Sequence, residues 1–115
     1  LVSQAQLDTV ENYVRIGQEE GATLATGGGR PSDVPDGGFY YEPTIFTDVE
    51  NSMTIAQEEI FGPVLAIMPY ASEDEAVEIA NNTVYGLAGG VWSGAQRRPT
   101  STSRRSGAAG WTKRR

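Results

Sequence analysis

The charge and hydropathy pattern of this 115-residue chain breaks at Gly94, and the break decides how much of it can form a packed core. Residues 1–94 hold all fifteen acidic residues against Arg15 and Arg30, a balance of −13. Residues 95–115 hold six Arg and one Lys with no acid, a balance of +7, and Trp111 is their only large apolar residue. No helical or strand period runs through this tail, so disorder is the expectation there. The net charge of −6 thus joins two differently composed stretches.

The chain contains no Cys and no His. A disulfide framework, a Cys/His zinc site, a Cys nucleophile and every His-based catalytic arrangement are therefore excluded within it. The longest apolar stretch, Val64 to Met68, is far short of the roughly 20 residues that span a bilayer, and the start carries no basic, then apolar, leader pattern. The expectation is a soluble, cytoplasmic protein with no membrane partner. A first residue of Leu rather than Met leads to the further expectation that the sequence starts partway through a longer one.

Ser3 followed by Gln6 reads as a capping box, and Leu7, Val10 and Val14 then recur at helical spacing until Gly21, so residues 4–20 are expected to form an amphipathic helix. Thr23 to Thr26 is a short strand candidate, followed by a loop rich in Gly, Pro and Asp from Gly27 to Gly38. Phe39-Tyr40-Tyr41 and Thr44 to Val49 have extended-chain composition, interrupted by Pro43, which points to an edge or irregular strand. Met53 to Ile60 is expected as a short helix ended by Gly62-Pro63, and Val64 to Tyr70 as a buried strand.

Ser72-Glu73-Asp74-Glu75 is a second capping box, in which Ser72 accepts from the Glu75 amide, the Glu75 carboxylate reaches back, and the acids favour the positive helix end. It predicts a helix over about 73–82 with a packing stripe of Ala76, Val77, Ile79 and Ala80. Leu87 to Trp92 follows as a strand candidate. Strand, helix, strand is the rhythm of an α/β fold with a parallel sheet.

Three local features invite chemistry. Gly27-Gly28-Gly29 and Gly86-Leu87-Ala88-Gly89-Gly90 match neither GxGxxG nor the Walker pattern and read as turn chemistry. Glu58 and Glu59 are adjacent, but neighbours on a helix or strand point in different directions and cannot flank one substrate atom. That leaves one solvated and one structural acid, or a single Glu accepting from two ribose hydroxyls. Asn81-Asn82-Thr83 matches a glycosylation sequon without a leader to give it meaning. The basic tail lacks interleaved aromatics and follows an acidic body, so no nucleic-acid partner is expected.

Gln57-Glu58-Glu59-Ile60-Phe61-Gly62-Pro63-Val64 resembles the Glu-Ile-Phe-Gly-Pro-Val signature of the NAD(P)-dependent aldehyde dehydrogenase superfamily. The flanks agree: Gly38 to Phe46 is similar to the family's "G-yy-PTi" segment, Ala80 to Trp92 to its "AN-T-YGLa--vw" segment, and Leu1-Val2-Ser3 to its "GPLvs" helix start. The resemblance covers residues 1–94 and implies a partial Rossmann-like catalytic domain. The tail 95–115 is not family-like, and its switch in composition is what reading out of frame would produce.

The resemblance implies a parent homo-oligomer that oxidises a small-molecule aldehyde to a carboxylic acid with NAD or NADP. In the family a Cys attacks the aldehyde, a Glu is the general base, the thiohemiacetal gives hydride to the nicotinamide, and water hydrolyses the thioester. By motif matching, Glu59 would accept from the nicotinamide ribose hydroxyls and Phe61 would pack beside the nicotinamide ring. These types suit the tasks, since a carboxylate accepts from paired hydroxyls and a Phe ring is an apolar wall without competing hydrogen bonds. The Cys, the oxyanion Asn, the general base and the coenzyme-binding domain belong to family segments preceding Leu1, so no catalytic residue is assigned and the chain alone is expected to be inactive. The alternative is a non-catalytic module that associates with another chain.

Overall fold

A computed structural model describes residues 1–92 together with the backbone of Trp111–Thr112. The remaining tail residues, on which most of the disorder expectation falls, lie outside the described residues. The described residues divide into two compact units, the first Leu1–Pro69 and the second beginning at Tyr70.

The first unit opens with α1 (Gln4–Glu19), as its periodicity predicts. The Ser3 hydroxyl accepts from the Gln6 amide at 3.2 Å, and Leu7, Val10 and Val14 are buried. The other half of the expected capping box does not form, because the Gln6 side chain is used elsewhere. Gly21, at φ +101, ends the helix and turns the chain into β1 (Thr23–Thr26).

The loop that follows is turn chemistry. Gly27 and Gly28 have φ of +73 and +91, and a Cβ at Gly27 would run into the Pro43 carbonyl. Phe39 to Tyr41 stays outside any strand, since Pro43 removes a donor, although Tyr41 is buried and Phe39 packs on the core.

β2 (Thr44–Thr47) is the centre of a three-stranded sheet, order β1-β2-β3, antiparallel to β1 and parallel to β3 (Val64–Ala66). A bulge between Leu24 and Thr26 shifts the β1–β2 register. Between β2 and β3 lies α2 (Thr54–Gln57), shorter than the expected 53–60 because the chain turns extended at Glu58 (φ −116, ψ 147). The parallel βαβ unit is therefore β2-α2-β3, which ends on the strand at which the sequence rhythm would start it.

The strand expected over residues 64–70 is also corrected, to three residues with one open face. Val64, Ala66 and Met68 pack on the core, whereas Leu65 is 54% and Ile67 44% exposed. Among the described residues β3 is an edge strand, and the pleat alternates its side chains between core and solvent. The core of this unit joins Leu7, Val10, Val14, Phe46, Val49, Met53, Ile55 and Ile60. Phe46 is fully buried at its centre.

The second unit contains α3 (Glu73–Asn81), β4 (Gly89–Gly90) and β5 (Trp111–Thr112). The Ser72 hydroxyl caps the Glu75 amide at 3.1 Å, and the Glu75 carboxylate accepts from the Ala71 amide at 2.7 Å, one residue before the expected one. The stripe of α3 is narrower than predicted, with Val77 buried and Ala80 exposed. The strand expected over 87–92 shrinks to Gly89–Gly90, which pairs in parallel with Trp111–Thr112.

Candidate functional site

The segment Glu58-Glu59-Ile60-Phe61-Gly62 runs between α2 and β3, and of its five residues Ile60 alone is buried. The Ile60 side chain is buried in the core, whereas Glu59 and Phe61 on either side of it are exposed. Glu58 and Glu59 then part company. The Tyr13 hydroxyl donates to the Glu58 carboxylate at 2.7 Å, which makes Glu58 the structural acid. Glu59 is exposed and its carboxylate accepts no hydrogen bond from the described residues.

Phe61 is 74% exposed and adopts φ +54, a left-handed conformation that costs a bulky residue roughly 1–3 kcal/mol and persists only where neighbours over-determine it. The over-determination is visible. The Gln6 side-chain amide donates to the Ile60 carbonyl at 3.2 Å and to the Phe61 carbonyl at 3.0 Å. Gly62 lies so close to α1 that a Cβ there would stand 2.5 Å from Val10 Cγ2. On the far side, the Pro63 carbonyl accepts from the Thr44 amide at 2.8 Å, tying the segment to β2.

Gln6, Val10 and Tyr13 occupy positions i, i+4 and i+7 of α1, so one helical stripe meets the segment at Glu58, at the Ile60 and Phe61 carbonyls and at Gly62. Motif matching singles out Glu59 and Phe61, and the structure places both outward on this one segment. Local sequence signals assign Gln6 to a capping box and give Tyr13 no role in a site. The signal for them was the stripe itself, a polar and a phenolic residue flanking Val10 on one face.

Elsewhere the first unit has an open cleft of about 550 Å³ between the start of α1 and the loop after β1, lined by Gln4, Leu7, Arg30, Phe39 and Tyr40 among others. Neither Glu59 nor Phe61 reaches it. Arg30 at its rim is engaged by Glu11, with Nε to Oε1 at 2.6 Å and Nη2 to Oε2 at 3.1 Å. Among the described residues no cluster of His, Cys, Asp or Glu is arranged to hold a metal ion, and no helix is long and apolar enough to cross a membrane.

The model of the aldehyde dehydrogenase family matches residues 1–112, past the break at Gly94. Betaine aldehyde dehydrogenase of Bacillus subtilis is 55% identical over 94 residues, which are 81% of this chain and 19% of the relative; that of Agrobacterium fabrum is 53% identical over 93 residues, with the same shares. The chain thus spans about a fifth of the length of these relatives. Among solved structures, Mycobacterium tuberculosis aldehyde dehydrogenase complexed with NAD+ superposes with a TM-score of 0.93 at 51% identity, covering 96% of this chain and 23% of that one. Betaine aldehyde dehydrogenase from Staphylococcus aureus in complex with NAD+ gives 0.90 at 35% identity, covering 96% and 22%. On the family match over 112 of its residues, the chain belongs to the aldehyde dehydrogenase family.

Proposed function

We propose that this chain is the coenzyme-facing part of an enzyme that oxidises an aldehyde to its carboxylic acid with NAD(P)+, and that Glu59 and Phe61 meet the nicotinamide half of the coenzyme. The observation that carries the reading is the division of labour between two adjacent carboxylates: Tyr13 occupies Glu58, and Glu59 is left outward beside an exposed, conformationally held Phe61.

These residues fit a nicotinamide riboside. A carboxylate presents two acceptor oxygens to a vicinal diol, and two charge-assisted hydrogen bonds fix the ribose. The Phe61 ring offers an apolar surface that excludes water beside the nicotinamide without competing for its polar groups. When bound, the coenzyme accepts a hydride; this chain's contribution is to bind and orient it. With neither Cys nor His, the chain has no thiolate to attack an aldehyde.

The names of the relatives make betaine aldehyde the first substrate to assay. Purified 115-residue chain mixed with betaine aldehyde and NAD+ is expected to form no NADH, and the same residues within a full-length dehydrogenase are expected to support turnover. NADH formation by the chain alone would overturn the reading.

A further inference from the structure

We infer that Gln6 is a positioning residue for the coenzyme, acting through the backbone of Ile60 and Phe61; the inference rests on the placement of Glu59 and Phe61 proposed above. Three observations support it. The Gln6 amide reaches two successive carbonyls, at 3.2 and 3.0 Å, across 54 and 55 residues of sequence. Those carbonyls flank the Phe61 φ of +54. Glu59 is bonded through its own carbonyl carbon to Ile60, so the hold on Ile60 also fixes where the Glu59 backbone leaves the core.

A left-handed Phe relaxes toward extended geometry unless both sides of the residue are fixed. Ile60 is fixed by burial, and Gly62 abuts Val10, but neither contact specifies the peptide plane between Phe61 and Gly62. Gln6 does, because its N–H groups require that carbonyl to face α1. Without the donor, the plane is free to rotate, and the Phe61 ring and Glu59 carboxylate lose their common orientation. The residue touches no reacting atom in this scheme; it acts by keeping the coenzyme's two contacts prearranged.

The sharpest variant is Gln6→Glu, which keeps the shape and replaces two donors with acceptors facing carbonyls. Residues 1–92 are placed in the Bacillus subtilis betaine aldehyde dehydrogenase in exchange for its matching stretch, and steady-state kinetics are measured for the parent chimera, Gln6→Glu, Gln6→Ala and Glu59→Gln. Losing the two bonds is expected to raise the KM for NAD+ about tenfold, with the KM for betaine aldehyde unmoved. Gln6→Glu is expected to exceed Gln6→Ala, a ranking that a mere packing role would not give. If Glu59→Gln raises the coenzyme KM and Gln6→Glu does not, the inference fails and the placement of the site stands. If Glu59→Gln leaves it unchanged, the placement itself fails.

A second measurement does not depend on the chimera. In nuclear magnetic resonance spectra of the 115-residue chain, Gln6→Glu is expected to shift the amide resonances of Phe61 and Gly62 and leave that of Ile67 in place, since the Ile67 amide bonds to the Phe46 carbonyl independently of α1. Unshifted Phe61 and Gly62 signals would overturn the inference.

Discussion

Glu20, the residue that closes α1, bonds with both carboxylate oxygens to Thr54, the first residue of α2: Oε2 accepts from the Thr54 amide at 2.7 Å and Oε1 from its hydroxyl at 2.6 Å. α2 has no cap from its own sequence, because Met53 precedes it and offers no side-chain acceptor to its amides. A cap delivered from a distant helix therefore pins α2 to α1. Glu20→Ala is expected to cost about 0.5–2 kcal/mol in urea unfolding of the 115-residue chain, the range for losing an N-cap. Thr54→Val, which keeps the amide, is expected to cost less.

Thr44 is buried in β2 with its hydroxyl doubly used, accepting from the Gly28 amide and donating to the Glu42 carbonyl, each at 2.9 Å. Thr44→Val preserves shape and strand propensity and strips both partners. The expected loss is about 1–3 kcal/mol, the cost of leaving a buried polar group unpaired, read from the same unfolding midpoint.

Gly62 is held against Val10, a fully buried residue whose branched side chain cannot swing away. Gly62→Ala is expected to destabilise by roughly 1–3 kcal/mol through overpacking. It also pushes the Phe61 turn off α1, so a crystal structure of the variant should show the Gln6 bond to the Phe61 carbonyl lengthened. A melting temperature equal to wild type would contradict this.

The Tyr41 phenol is pushed above its ordinary value of 10.0, first by burial and then by the nearby Glu11 and Glu42 charges, with Arg30 opposing. A raised folded value means that its contribution to stability is complete below the unfolded value and is lost as pH rises through the folded one. Thermal melts across the alkaline range should therefore fall faster for wild type than for Tyr41→Phe, which has no proton to lose. Parallel curves would show that Tyr41 does not ionise differently in the two states.

Local signals located the two capped helices and β1, but not the length of α2 or how the strands are ordered. Ser3 and Ser72 mark their helix starts because a cap is decided by residues three apart. The strand expected over 64–70 failed because whether Leu65 and Ile67 are covered depends on β3 being an edge, a fact set by strand order rather than composition. The same holds for Glu58 and Glu59. Alternation predicts that they differ, but only the reach of Tyr13 from another element decides which one is free.

The most direct test of the central claim compares the two adjacent acids in the chimeric dehydrogenase by the KM for NAD+. Glu59→Gln is expected to raise it about tenfold or more, as expected for weakening charge-assisted hydrogen bonds to a ribose. Glu58→Gln is expected to leave it near the parent value, because an amide oxygen still accepts from Tyr13. Equal effects from both variants, or a larger one from Glu58→Gln, would contradict the assignment of Glu59 to the coenzyme.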